Sequence, residues 1–154
     1  MSDERERNKK AVRAHFAALS SGDYSALERI YDPGARNYAA APFEDNVPVD
    51  GRPMGPADMR RTMEWLRGGM EDLKTDIEEL IAEDDQVDAW VRSTGTPNGR
   101  TGPMPQAGAR TDVYQVHRFR LHDGKIIGHW AVRDDLRMMI QSGVIKPPPR
   151  PSAG

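Results

Sequence analysis

Residues 111–136 read TDVYQVHRFRLHDGKIIGHWAVRDDL, and this stretch decides the fold. Two runs rich in β-branched and aromatic residues, 110–121 and 125–133, lie on either side of His122-Asp123-Gly124. An Asp-Gly pair between two such runs is a strong signal for a β-hairpin. The stretch therefore predicts two antiparallel strands joined by a tight turn.

Two turn types fit this hairpin, and they bury opposite faces of the second strand. A two-residue turn on Asp123-Gly124 pairs His117 with Trp130, and its inner face holds Val113, Gln115, His117, Phe119, Ile126, Trp130, Val132 and Asp134. A three-residue turn with a bulge at Gly124 pairs His117 with His129, and its inner face holds Gln115, His117, Phe119, Ile127, His129, Ala131 and Arg133. The second turn sends Val116, Trp130 and Val132 outward, which is favourable only if a second subunit covers the outer face.

The rest of the chain supplies helices and two further strands. Apolar residues recur at helical spacing in 4–20, a short helix is expected in 24–30, and Pro56 suits the first turn of a third helix. Residues 73–82 and 86–94 are expected to form strands around a turn, and a last helix runs to about residue 141. Residues 35–55 show no clear period and are expected to form a loop at a pocket rim. This order predicts an α+β fold, a cone-shaped barrel in which a curved antiparallel sheet wraps around the N-terminal helices and leaves a hollow for a small molecule.

Composition narrows the class of protein. The 154 residues carry 22 basic and 24 acidic side chains and no cysteine. This charge balance argues against nucleic-acid binding, and the absence of Cys excludes disulfides and thiolate nucleophiles. No apolar run approaches the roughly 20 residues of a membrane span, and no export signal is evident, so a cytoplasmic protein is expected. We expect one domain over 1–146 and a flexible Pro-rich tail over 147–154.

Three stretches together resemble the SnoaL-like polyketide cyclases of the nuclear-transport-factor-2-like superfamily. They are AVRAHFAALSSGDYSALERIYDPGARN (11–37), GPMPQAGARTD (102–112) and the hairpin stretch (111–136). The resemblance extends over nearly everything from Asn8 to Ile145, and the DGKI-xx-HW pattern is its most specific part.

The resemblance implies a cone of curved sheet closed by helices, usually dimeric through the outer sheet face. It also implies ring closure by intramolecular aldol addition without a metal or an organic cofactor. His117 falls on the position of the family His, Asn37 matches a family Asn on the pocket rim, and Leu19 stands where a pocket aromatic often lies. Ala131 stands where the family has its catalytic Asp, so that mechanism does not transfer unchanged. The family His and Asp face inward together only with the bulged turn, which we therefore favour.

Several side chains are candidates for the site. His117 is expected to donate or accept a proton in the pocket, because imidazole titrates near neutral pH. His129 is either a second pocket imidazole or a solvated residue of the outer face, and Asp134 is either a general base or a helix cap. His15 could reach the hollow, but a packing role is expected. Gln115 and Asn37 would orient a ligand, and the expected lining is completed by Phe16, Leu19, Trp90 and Ala131. We predict no metal site, because no close ligand pair such as HExxH occurs.

These features lead to one main function hypothesis and two alternatives. The main hypothesis is a cofactor-independent enzyme of natural-product biosynthesis, a cyclase or isomerase that acts on a hydrophobic polycyclic substrate. The first alternative is a hydroxylation component that works with a reductase partner. The second is a non-catalytic protein that binds a small molecule, for which the missing carboxylate at Ala131 is direct support.

Overall fold

A computed structural model describes residues 2–41, 44, 46–104 and 106–149. Within these ranges the chain forms four helices and six strands. They are, in chain order, α1 (Ser2–Ser21), α2 (Leu27–Ile30), β1 (Tyr31–Asn37), β2 (Arg52–Pro53), α3 (Pro56–Gly69), β3 (Lys74–Glu83), β4 (Gln86–Gly95), β5 (Thr111–His122), β6 (Lys125–Arg133) and α4 (Asp135–Ser142). The predicted α+β class is confirmed.

The six strands form one open, mixed sheet in the order β2-β1-β6-β5-β4-β3. Strands β3 to β6 are antiparallel neighbours as predicted, whereas β1 runs parallel to β6. The prediction of a loop over 35–55 is therefore wrong at both ends, because β1 reaches Asn37 and β2 begins at Arg52. The sheet bonds of β1 are interrupted between Tyr31 and Arg36, which explains how a strand accommodates the breaker Asp32-Pro33-Gly34.

The β5–β6 hairpin combines features of both predicted turns. Its turn has two residues, Asp123 and Gly124, both with positive φ (49° and 74°), and the strands then pair regularly until Ile127 is left without a partner. This bulge shifts the register by one residue, so that His117 lies opposite Ala131. Both predicted pairings of His117 are wrong. From position 129 onward, however, β6 has the orientation that the second turn predicted. Trp130 points outward and is partly exposed, and Val132 points outward and is largely exposed.

Helices cover the inner face of the sheet. Helix α1 packs against β3, β4 and β6, and α4 packs against β5. The alternation predicted for β4 is confirmed, because Val87, Ala89 and Val91 are all fully buried. The predicted stripe of α3 also faces the core, where Met59, Met63 and Met70 are buried and Leu66 is partly buried. The guanidinium of Arg67 on α3 donates to the carbonyls of Leu19 and Ser20, which ties α3 to the end of α1.

The C-terminal segment follows α4 without regular structure. Pro147, Pro148 and Pro149 are exposed, and the remainder of the predicted tail, 150–154, lies outside the described residues. Among the helices that the structure describes, none is both long and apolar enough to span a membrane.

Candidate active site

Four polar side chains form a continuous hydrogen-bonded chain on the inner face of the sheet. Gln115 Oε1 lies 2.9 Å from His117 Nε2, and His117 Nδ1 lies 2.9 Å from His129 Nε2. At the other end, His129 Nδ1 lies 2.9 Å from Asn37 Oδ1. We call these four residues the imidazole relay. It brings together four of the residues that the sequence predicted for the site.

The three strands β1, β5 and β6 position the relay. Gln115 and His117 are two residues apart on β5 and therefore share a face, and the bulge at Ile127 turns His129 to that same face. Asn37 is the register partner of His129 in the parallel β1–β6 pair. The two imidazole rings lie nearly parallel with their centroids 5.2 Å apart. The relay therefore depends on two long-range strand pairings and one bulge.

The relay lies in the wall of a cavity of about 550 Å³. This volume is typical of sites for small organic ligands. Most of its large apolar lining residues come from α1, from α3 and the residue after it, and from α4: Phe16, Leu19, Met59, Met63, Trp65, Leu66, Met70 and Met138. Charged side chains also line it: Glu44, Arg52, Asp58, Arg61, Arg133 and Asp135. Three hydroxyl side chains that sequence reasoning missed, Thr62, Thr75 and Ser93, also line it. The cavity therefore suits a hydrophobic molecule that carries a few polar groups.

Burial keeps both relay imidazoles uncharged. Desolvation, with a smaller contribution from the positive charges that His15 and Arg133 can carry, lowers the pKa of His117 from 6.5 to about 3. The pKa of His129 is also well below its usual value, for the same first reason and because His117 is beside it. In the described part of the chain, no carboxylate contacts either ring to offset this cost. At neutral pH the pair is therefore neutral, with one N–H on each ring.

The hydrogen-bond partners fix which nitrogens carry these two hydrogens. The amide N–H of Ala39 donates to Asn37 Oδ1 (3.0 Å), so this oxygen is an acceptor and His129 Nδ1 must be the donor to it. His129 Nε2 then accepts from the Nδ1–H of His117. A neutral pair therefore presents a lone pair on His117 Nε2, the nitrogen that faces Gln115.

Gln115 completes the relay in either of two protonation states. When Gln115 Oε1 points to His117 Nε2, that nitrogen must carry a hydrogen. The pair of imidazoles then has three N–H groups and one positive charge. A neutral pair requires the amide nitrogen of Gln115 there instead. Because amide oxygen and nitrogen have the same shape, the side chain can satisfy both states by turning over.

The structure separates the other predicted site residues into two groups. Phe16 and Leu19 line the cavity as predicted. The prediction that Trp90 forms a cavity wall is wrong, because β4 turns it to the outer face, where it is 45% exposed and stacks on Tyr114. Ala131 is paired with His117 across the strands but borders a groove on the outer face.

The two aspartates that follow β6 differ in their surroundings. Asp134 is the exposed N-cap of α4 and accepts from the backbone N–H of Arg137, so the predicted cap role is confirmed and the alternative of a general base in the pocket is wrong. Asp135 instead lines the cavity and accepts from the Arg133 guanidinium, which also donates to the carbonyl of Ala40. The bulged turn of the sequence analysis already placed Arg133 on the inner face with His129, and Arg133 lines the cavity.

No group of three or more His, Cys, Asp or Glu side chains is gathered as a metal ion would need, so far as the described residues extend.

Solved structures share this fold over nearly the whole chain. TsrD from Streptomyces laurentii is 24% identical, with a TM-score of 0.74 and coverage of 92% of this chain and 98% of its own. IdmH from Streptomyces antibioticus, a candidate polyketide cyclase, is 20% identical, with a TM-score of 0.72 and coverage of 88% and 98%. AclR from Streptomyces galilaeus, a candidate hydroxylase, is 25% identical, with a TM-score of 0.70 and coverage of 95% and 87%. The comparison with curated protein sequences gave no match.

The sequence itself matches a family model. Residues 9–142 match the model for SnoaL-like polyketide cyclases, and this range includes all four residues of the relay. The match covers most of the chain and agrees with the resemblance carried by the hairpin stretch. The chain therefore belongs to the SnoaL-like polyketide cyclase family.

Proposed function

We propose that this protein is a cofactor-independent enzyme of natural-product biosynthesis that moves protons on a hydrophobic polycyclic substrate, as a cyclase or isomerase. One observation carries the proposal: the imidazole relay lines a cavity of about 550 Å³ and leaves the lone pair of the neutral pair on His117 Nε2, where the Gln115 amide is its hydrogen-bond partner. A base held in place at the wall of a cavity that a ligand can fill is an arrangement that favours proton abstraction from carbon.

The proposed step begins with a carbon–hydrogen bond next to a substrate carbonyl. The substrate first displaces the Gln115 amide from His117 Nε2. This nitrogen then takes the hydrogen as a proton, and the electron pair of the broken bond passes into an enolate. The histidine pair then carries three N–H groups, and Gln115 Oε1 accepts the new one while Asn37 Oδ1 keeps the other end fixed. The proton returns to a different carbon in an isomerisation, or to the alkoxide formed when the enolate attacks a second carbonyl in a cyclisation.

The low pKa of His117 limits when this step occurs. In the empty cavity the charged pair is disfavoured by burial. An enolate beside the pair supplies the missing negative charge, and opposite charges a few ångströms apart stabilise each other strongly where water is excluded. Proton transfer is therefore coupled to a substrate that can hold the negative charge on oxygen.

Hydrogen exchange at carbon tests this proposal without the natural substrate. Incubation of 1-tetralone and its three-ring homologue 3,4-dihydroanthracen-1(2H)-one in D₂O would reveal deuterium at the carbon next to the carbonyl, read by mass spectrometry. We expect the protein to accelerate this exchange and the substitution His117→Phe to reduce the acceleration by about 10²–10⁴-fold. The matched control is His122→Gln, because His122 is the last residue of β5, away from the relay, with its side chain 79% exposed.

Two alternatives give different results in the same experiment. A protein that only binds its ligand, an alternative favoured by the methyl group of Ala131 at the family's carboxylate position, would bind the ketones without accelerating exchange. A hydroxylation component, favoured by the likeness to AclR, would consume dioxygen and reduced nicotinamide only when a partner reductase is added. Exchange that is equally fast in the His117→Phe variant contradicts the assignment of His117.

We also propose that the protein forms a homodimer through the outer face of the sheet. A groove of about 580 Å³ lies on this face. The face also exposes large apolar side chains, which a second copy of the chain would shield from water: Ile81, Trp90, Tyr114, Trp130 and Val132.

Sedimentation tests the dimer. We expect a species of twice 17.2 kDa, and Val132→Glu, which places a charge in the centre of the face, should shift it to the monomer. Val49→Glu is the matched control, because Val49 is 92% exposed outside the sheet. A monomeric wild-type protein at micromolar concentration contradicts this proposal.

A further inference from the structure

A second buried polar pair lies next to the relay and takes no part in it. The Tyr31 hydroxyl on β1 and His15 Nδ1 on α1 are 2.7 Å apart. Tyr31 is fully buried and His15 is 6% exposed. The His15 ring packs edge-on against Phe16 and Phe119, and these two phenyl rings separate it from the relay.

The direction of this hydrogen bond follows from the burial of Tyr31. Burial raises the pKa of Tyr31, so the phenol keeps its hydrogen. In the described part of the chain the only hydrogen-bond partner of the hydroxyl is His15 Nδ1, so the phenol donates and Nδ1 accepts. Burial also lowers the pKa of His15 to about 3, which keeps the ring neutral. A neutral ring that accepts at Nδ1 carries its single hydrogen on Nε2.

His15 is one of the residues that line the cavity. Within the described ranges its Nε2–H has no hydrogen-bond partner, yet Asn8 Oδ1 is the only fully enclosed side-chain polar atom there without one. His15 Nε2 is therefore not fully enclosed, and on a cavity-lining ring it is the polar atom left for a ligand.

We propose that His15 is a substrate-binding residue, which donates its Nε2–H to a carbonyl oxygen of the ligand, and that Tyr31 is the positioning residue that fixes the donor. This inference rests on the proposed function, since it assumes an oxygen-bearing polycyclic ligand in the cavity. It deepens that proposal because it predicts two oxygen groups on the substrate. One lies beside the relay, and the other accepts from His15 on the far side of the Phe16–Phe119 pair. Because His15 stays neutral, it recognises an uncharged carbonyl and holds it without transferring a proton.

Nuclear magnetic resonance of ¹⁵N-histidine-labelled wild-type protein tests the tautomer without any variant. We expect the His15 ring to carry its hydrogen on Nε2 throughout pH 5–8. A hydrogen on Nδ1 overturns the inference, because the ring would then offer only a lone pair to the cavity.

Two probes with the same three-ring frame and the same sulfonate test the binding role. They are 9,10-anthraquinone-2-sulfonate and anthracene-2-sulfonate, which differ in the two carbonyl oxygens. We expect the quinone to bind more tightly and to shift the His15 Nε2 resonance. The double variant His15→Phe/Tyr31→Phe replaces both partners by rings of similar shape, so it should fold normally and lose about tenfold of the preference for the quinone.

The outcomes separate this inference from the proposed function. If the double variant is folded and keeps the full preference for the quinone, His15 is not a binding residue, and the relay proposal is still decided by the hydrogen-exchange experiment. If neither probe binds the wild-type protein, the inference about His15 is overturned, whereas acceleration of exchange in the ketones would still support the proposed function. His122→Gln should leave both affinities unchanged.

Discussion

At the scale of the residue, Gln115 determines which charge the relay can hold. Its amide can offer an acceptor or a donor to His117 Nε2, so one side chain satisfies both the neutral and the charged pair. Family members with a catalytic carboxylate, as the resemblance implies, would hold a fixed negative charge near this point. In this chain an amide that can turn over stands beside the imidazole instead.

Replacing this amide by a carboxylate should therefore make the charged form of the relay easier to reach. In Gln115→Glu, an acceptor that is also an anion lies about where Oε1 is now, and we expect the pKa of His117 to rise by about 1–3 units above its present value of about 3. Ring ¹⁵N shifts followed from pH 4 to pH 8 measure this change. Gln86→Glu, on the outer face, is the control and should not alter it. An unchanged pKa of His117 in Gln115→Glu would mean that residue 115 does not contact the imidazole.

At the scale of the element, helix α4 begins at a side-chain cap that the chemistry does not need. Asp134 Oδ1 accepts the backbone N–H of Arg137 at 3.1 Å. We expect Asp134→Ala to lower the free energy of unfolding by about 1 kcal/mol in urea titrations, while Asp134→Asn, which caps equally well, should leave both stability and carbon–hydrogen exchange unchanged. Loss of carbon–hydrogen exchange in Asp134→Asn, which keeps the cap and the stability, would show that this carboxylate is the base.

The β5–β6 hairpin shows how far elements follow from sequence. Its strands, its Asp-Gly turn and the shared face of Gln115 and His117 could be predicted, because alternation and turn chemistry are local. The inward face of His129 is favoured only by the family resemblance. The bulge at Ile127 could not be predicted, since Gly128 and both isoleucines fit a regular strand equally well. The bulge shifts the register so that His129 is buried and Trp130 points outward, and this choice depends on tertiary packing.

The first strand shows the opposite case. Asp32-Pro33-Gly34 is a breaker by every local rule, and β1 forms only because its two ends pair with β6 and its middle leaves the ladder. Asn37 was therefore predicted from the family resemblance and not from the pattern of its neighbours. The cavity contacts of Arg133 and Asp135 depend on where α4 starts, which sequence patterns place only to within a few residues.

At the scale of the whole molecule, three neutral imidazoles buried together make stability depend on pH. The pKa values of His15 and His117 are lowered to about 3, and that of His129 lies well below 6.5. The unfolded chain therefore takes up protons first as pH falls. Their contribution to stability is complete above about pH 6.5 and is lost progressively as pH falls toward 3.

We expect the free energy of unfolding to fall by about 2 kcal/mol for each buried imidazole between pH 7 and pH 5, a range above most carboxylate titrations. Urea unfolding at half-unit pH steps measures it. The His15→Phe/Tyr31→Phe variant lacks one of the three buried imidazoles, so it should lose about one third of this pH dependence. The His122→Gln variant should keep all of it. Stability that stays constant from pH 7 to pH 5 contradicts the burial of neutral histidines.

Four of the eight methionines, Met59, Met63, Met70 and Met138, lie around the cavity. Thioether chains are unbranched and polarisable, so they rearrange at low cost around guests of different outline. A wall of this kind discriminates weakly between ring systems that differ by a methyl group or an angular fusion. Selectivity would then come from where a guest carries its oxygens, and analogues with relocated oxygens would be rejected more strongly than analogues with altered contours.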